Sequence, residues 1–228
     1  MRPTHRTRGS LLVLVALGLS LSMMSDAGAT ANNGTASTLG GRWWSWAFSQ
    51  PNDASNPLNG GDCMNGQADN GYIFLSGVYY DDTAPGAEIA QRDCAVPTGR
   101  GLFFPVVNVE CSSLEVGSIW GGTNATELGA CLTAWSYEGT ATVDGQAIGL
   151  VEGTSGVYRI GPMPDPNLLG APTGATGISR ASGLYGWTTP LASGAHTVSF
   201  IGTAAYDGSL GGDPFSYKLA VDYTVTAG

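Results

Sequence analysis

The sequence predicts a mainly β protein, a β-sandwich or jelly-roll-like fold with one or two short helices. Two observations lead there. First, roughly eight short strand-like runs are punctuated by turns, in a chain with 35 glycines and 12 prolines among 228 residues. Second, the final run alternates cleanly: Leu219, Val221, Tyr223 and Val225 against Lys218, Ala220, Asp222 and Thr224, the mark of a half-buried strand. An apolar content of 43% argues against wholesale disorder, and the glycines show no collagen-like period of three.

Taken in order, residues 1–29 have the layout of a secretory signal peptide. Arg2, His5, Arg6 and Arg8 form a basic start, Leu11 to Leu21 is apolar, and Ala27-Gly28-Ala29 offers a small-residue cleavage site. An apolar run of 11 residues is too short to cross a bilayer. The expected location is therefore secreted, periplasmic or extracellular, with no membrane span in the mature chain. Residues 30–41 are small and polar and read as a flexible arm, which leaves 42–228 as a single β-sandwich domain. Within it, Trp43, Trp46, Ala47 and Gln50 recur at helical spacing, so Arg42 to Ser49 suggests one or two turns stopped by Pro51, although strand alternation would instead align Trp44, Trp46 and Phe48. Asn52 to Gly71 reads as a long loop.

Tyr72 to Tyr80 and Leu102 to Val109 are strand candidates, with Pro105 pointing to an edge or a bulge. Asn124 to Ser136 is the clearest helix: Asn124 and Glu127 form a capping pair, Leu128, Cys131, Leu132 and Trp135 an apolar stripe, and Gly139 its end. Thr140 to Val143 and Gln146 to Val151 flank Asp144-Gly145 as a hairpin. Val157 to Ile160 is a short strand, Gly161 to Gly177 a long surface loop, and Leu184 to Thr189, His196 to Ile201 and Tyr217 to Thr226 complete the set.

Charge excludes some functions. Beyond residue 29 the chain carries six basic and 17 acidic side chains, a net charge of −11. Such a surface repels nucleic acids and anionic membranes, so no nucleic-acid partner is expected. His196 is the single histidine of that segment, which removes multi-histidine metal sites. No G-x-S-x-G elbow surrounds any serine, and His196 itself reads as a strand-start residue bonded to a loop.

Export places Cys63, Cys94, Cys111 and Cys131 where disulfides persist, and four cysteines allow three pairings. If Leu102 to Val109 is one strand, rising roughly 3.3 Å per residue, the Cys94–Cys111 pairing is disfavoured unless the chain doubles back. Of the two remaining pairings, Cys63–Cys94 with Cys111–Cys131 is preferred because both loops are short. The segments WWSWAFSQP (43–51), GDCMNGQ (61–67), IFLSG (73–77), RDCAVPTGRGLFFPVVN (92–108), TVDG (142–145) and PLASGAHTVSF (190–200) resemble a family of uncharacterised secreted, mostly bacterial, β-rich proteins with paired cysteines. The resemblance covers most of the chain after residue 29, and the stretch around Cys94 is its most specific part. It implies a secreted β-rich domain and a similar pairing, and it carries no catalytic assignment.

Three kinds of site are candidates. Exposed aromatic faces stack on sugar rings, and Trp43, Trp44, Tyr79, Tyr80 and Trp187 are the ligand-stacking candidates, with Trp120 among the wider supply. Calcium wants oxygen ligands, and Asp53, Asp62 and Asp69 lie in an Asn/Asp-rich loop that offers them, though without EF-hand spacing; no other cofactor is implied. Paired carboxylates cleave glycosides, and Glu110 and Glu115, which bracket Cys111, are the best-placed pair. No catalytic set is complete. The reading therefore favours a secreted non-catalytic binding or surface protein recognising an extracellular glycan or cell-surface polymer. A carboxylate-dependent glycoside hydrolase and a structural envelope protein are the alternatives.

Overall fold

A computed structural model describes residues 33–68, 71–79 and 89–228. The export segment read in residues 1–29, and Asp69 and Tyr80, lie outside them. In chain order the elements are α1 (Asn33–Phe48), β1 (Tyr72–Phe74), β2 (Ala90–Val96), β3 (Gly101–Ser112), α2 (Ala125–Thr133) and β4 (Trp135–Val143). Then follow β5 (Gln146–Ala147), β6 (Val151–Thr154), β7 (Tyr158–Ile160), β8 (Gly177–Trp187), β9 (Gly194–Tyr206) and β10 (Phe215–Ala227). The fold is mainly β, with two mixed open sheets and two helices. One sheet runs β1-β3-β8, with β6 and β7 sharing the far edge of β8; the other runs β2-β10-β9-β4-β5. The parallel pairs β1/β3 and β2/β10 make both sheets mixed.

β3 is buried along almost its whole length because both its faces are covered, which is why it reads as a continuous apolar run. On one side Leu102, Phe104 and Val106 meet Val198, Phe200 and Val221 of the second sheet. On the other, Phe103 joins Phe74, Tyr185 and the aromatic residues of α1. Between Pro105 and Val107 the register slips against β8, the bulge that Pro105 foreshadowed. Val106 and Val107 then both face the second sheet. The paired Gly139 and Gly202 make room there: a Cβ on Gly139 would lie 2.5 Å from Val106 Cγ1, and one on Gly202 2.7 Å from Val107 Cβ.

The two cysteine pairs form Cys63–Cys94 and Cys111–Cys131, with Cα separations of 5.6 and 6.4 Å. The second ties α2 to the end of β3. Asp144 and Gly145 both have positive φ, 50° and 75°, as the primed hairpin turn between β4 and β5 requires.

Four local expectations are corrected. From Asn33 on, the stretch expected as a flexible arm is the first part of α1. Thr, Ser and two glycines are weak helix formers, but Ala36, Leu39, Gly40, Trp43 and Ala47 form a buried stripe, so tertiary packing decides. α2 ends at Thr133, and the chain turns at once into β4. Trp135 and Gly139 are therefore strand residues, because the cross-strand ladder with β9 claims them. β2, an edge strand of alternating exposed residues, lacks the apolar run that would announce it. The 161–177 loop is not wholly at the surface, since Met163 and Leu168 pack beneath α1.

The helix lies close to its sheet because it carries glycine where the ring of Tyr185 lies. A Cβ on Gly40 would stand 2.5 Å from the Tyr185 hydroxyl oxygen and 2.7 Å from the adjoining ring carbon. Tyr185 cannot retreat, being buried and stacked on Phe103 with ring centroids 5.4 Å apart. Gly40→Ala should therefore destabilise the fold by roughly 1–3 kcal/mol, despite its better helix propensity. Gly149→Ala, exposed with nothing within 4 Å, should change stability by less than about 0.5 kcal/mol. Urea midpoints of the two variants provide the check, and equal values would argue against a tight helix–sheet contact.

Candidate functional site

The bulge sets the chemistry of the site. Past Val106 the alternation of β3 is inverted, so Val107, Val109 and Cys111 take the inner side. Asn108, Glu110 and Ser112 take the side of β3 that faced α1 at Phe103. There a cleft of about 540 Å³ opens between α1, the loop after it, β3 and the start of β10. Trp43, Trp44 and Leu58 line its apolar part, and Tyr79, Trp120 and Tyr217 are half-buried at its walls. Asn52, Asn59 and Asn108 supply amides, and Glu110 and Glu115 supply carboxyls.

The two carboxyls are hydrogen-bonded to one another. Ser112 Oγ donates to Glu115 Oε2 at 2.8 Å, and Ser179 Oγ of β8 donates to Glu110 Oε1. The buried Tyr158 hydroxyl lies 2.9 Å from Ser179 Oγ. Burial pushes Glu110 well above the usual carboxylate range, and the charge of Glu115 adds to this; the serine bonds oppose it. Burial also raises Glu115, against the hydrogen bonds it accepts from Ser112 and Glu110. Neighbouring buried acids resist ionising together, and the stronger upward push falls on Glu110. The Tyr79 phenol, which lines the same cleft, is raised by burial and then by the charges of Glu115 and Glu110.

Local sequence explains how these groups are held. Trp43 Nε1 donates to Leu75 O and Trp46 Nε1 to Asn65 O, each at 2.9 Å, fixing α1 over the sheet. Asn56 orders the next loop: its Oδ1 accepts from Leu58 N and its Nδ2 donates to Pro51 O, both at 2.9 Å. Tyr217 Oη donates to Asn108 O at 2.8 Å across the sheets. Trp120 stacks on Trp135, centroids 4.7 Å apart. The indole N–H of Trp44, a residue only 7% exposed, has no acceptor among the described residues.

Of the residues singled out from sequence, Trp43, Trp44, Tyr79, Trp120, Glu110 and Glu115 meet in this cleft. Trp187 stands apart, stacked on Phe103. Asp53 Oδ1 accepts from Ser55 N at 2.8 Å and Asp62 Oδ1 from Met64 N at 2.9 Å, so both close their own turns. Among the described residues no group of three or more His, Cys, Asp or Glu side chains could hold a metal ion. His196 lies elsewhere: Nδ1 meets Asp144 Oδ2 at 2.7 Å and Nε2 meets Ala192 O at 2.9 Å. Two acceptor oxygens favour the doubly protonated ring, and its pKa is raised accordingly. Sequence reasoning missed Asn108, Ser112, Tyr158, Ser179 and Tyr217. Placing the Pro105 bulge before assigning faces would have brought Asn108 and Ser112 beside Glu110.

No family model matches the chain, and no curated protein matches it. Among solved structures it aligns with one titled "Solution Structure of Amebosin" at 11% identity, over 60% of this chain and 99% of that one. The TM-score of 0.15 is too low to carry an argument. Among the described residues no helix is long and apolar enough to cross a membrane.

Because both glutamates are raised, the folded chain binds more protons than the unfolded chain above the ordinary glutamate range. That stability is full below the ordinary range and is lost as pH rises through the folded-state values. Glu110→Gln keeps an acceptor for Ser179 and a donor for Glu115 but cannot ionise. Its melting temperature should fall less than the wild type's between about pH 5 and 8. His196 adds the same sign in both proteins and cancels in the comparison. Parallel melting curves would show that Glu110 does not hold its proton above the ordinary range.

Proposed function

We propose that this is an exported, non-catalytic binding protein whose cleft takes a segment of an extracellular glycan. The observation that carries the reading is the convergence of half-buried Tyr79, Trp120 and Tyr217 with a carboxyl pair and three asparagines in one cleft. Aromatic faces match the apolar faces of sugar rings, and amides and carboxyls match their hydroxyls. The two disulfides suit a compartment in which such bonds persist.

The hydrolase alternative draws on the same acids, since a pair with unequally raised proton affinities can supply both an acid and a base. Glycosidases, however, set their two carboxyls on either side of the scissile bond, whereas each of these two bears directly on the protonation of the other. With each acid engaged by the other, recognition is favoured over glycosidic cleavage.

Oligosaccharide titration by calorimetry tests the reading. At least one soluble oligosaccharide should bind without release of reducing ends, and Tyr79→Ala should weaken it by about tenfold, the worth of one stacked ring. Release of reducing sugar that disappears in Glu115→Gln would instead favour the hydrolase. Absence of binding to any glycan by folded protein would count against both.

A further inference from the structure

We infer that the glycan segment held by this cleft carries a protonated amine, so that the ligand class is an amino sugar with a free ammonium group. The inference rests on the glycan reading and goes further by naming the charge of the ligand. Among the described residues lining the cleft there is no Lys, Arg or His. The ionisable groups facing the acid pair are Glu110 and Glu115 themselves, with Tyr79 and Tyr158 beside them. The described lining thus gathers two carboxyls and supplies no cation against them.

The choice among sugars follows from that imbalance. A neutral sugar would seal the carboxylate from water without compensating it, which is costly. A uronic acid would add a further negative charge. An ammonium supplies the missing countercharge and three donors for carboxylate and amide oxygens. Aromatic rings favour the same choice, since cations are attracted to their faces, and Tyr79, Trp120 and Tyr217 stand around the acids. Trp44 offers an independent pointer. Its buried indole N–H lines the cleft without an acceptor among the described residues, and a hydroxyl or ring oxygen of the same sugar unit would satisfy it. An ammonium beside the pair also favours its doubly ionised form. The amine stays protonated, Glu110 loses its proton to solvent, and binding is coupled to proton release.

Calorimetry of the full chain against β-1,4-linked tetramers of glucosamine, N-acetylglucosamine and glucose tests this. The glucosamine tetramer should bind about tenfold or more tightly than the two neutral ones. Its heat should vary with the ionisation enthalpy of the buffer, revealing the released proton. Glu115→Gln should abolish the preference while leaving weaker binding of neutral tetramers. Equal or tighter binding of a neutral tetramer overturns the amine inference and leaves the glycan reading standing. Binding of none overturns both. A preference that survives Glu115→Gln, or a heat independent of buffer, assigns the amine to the acidic surface at large and overturns the cleft assignment.

Discussion

One extra residue in β3 organises this molecule. Val106 has no partner across β8, and from that point the strand's two faces exchange their side chains. Without the bulge, uninterrupted alternation would carry Asn108 and Glu110 on the side of Leu102 and Phe104, into the apolar layer between the sheets. With it, Val107 and Val109 fill that layer and the polar residues turn outward to the cleft. Gly139 and Gly202 complete the arrangement, because no side chain fits where the bulged backbone presses on the second sheet. The polar face of the cleft along β3 is therefore a consequence of a single local irregularity, the kind of feature that re-aims side chains beside functional sites.

The cost of that arrangement argues for a role. Two acids placed together in a buried setting weaken a fold unless they are neutralised and hydrogen-bonded. Among the described residues lining the cleft, no base neutralises them. Two serine hydroxyls bond them, with a tyrosine behind one of the serines, and the raised proton affinity of both acids eases their repulsion. Apolar residues of similar size would serve stability better, so the pair is best understood through what the cleft receives. The half-buried aromatic rings around it are consistent with a ligand that has flat apolar faces and polar edges.

Much of the fold was legible in the sequence, because its signals are local. The Asp144-Gly145 hairpin, the Asn124 cap, the alternation of β10 and the two short disulfide loops each rest on residues near one another in the chain. What failed to show was decided at a distance. The first turns of α1 look like a polar linker until Tyr185 and Gly153 give Gly40 and Ala36 something to pack on. β2 is a strand because β10 offers it an edge. Trp135 and Gly139 continue a helical pattern yet belong to the ladder with β9. The site was half visible: its tryptophans and Glu110 with Glu115 stand out by residue type, whereas Ser179 and Tyr158 reach Glu110 only through strand pairing across about 50 to 70 residues.

The central claim is that the re-aimed Glu110 holds its proton at neutral pH. Carbon-13 NMR of protein labelled at the glutamate carboxyls observes this directly. The account predicts one carboxyl resonance that retains a protonated-acid shift at pH 7, does not titrate in the ordinary glutamate range, and is absent from Glu110→Gln. A folded protein in which every glutamate titrates in the ordinary range would contradict it.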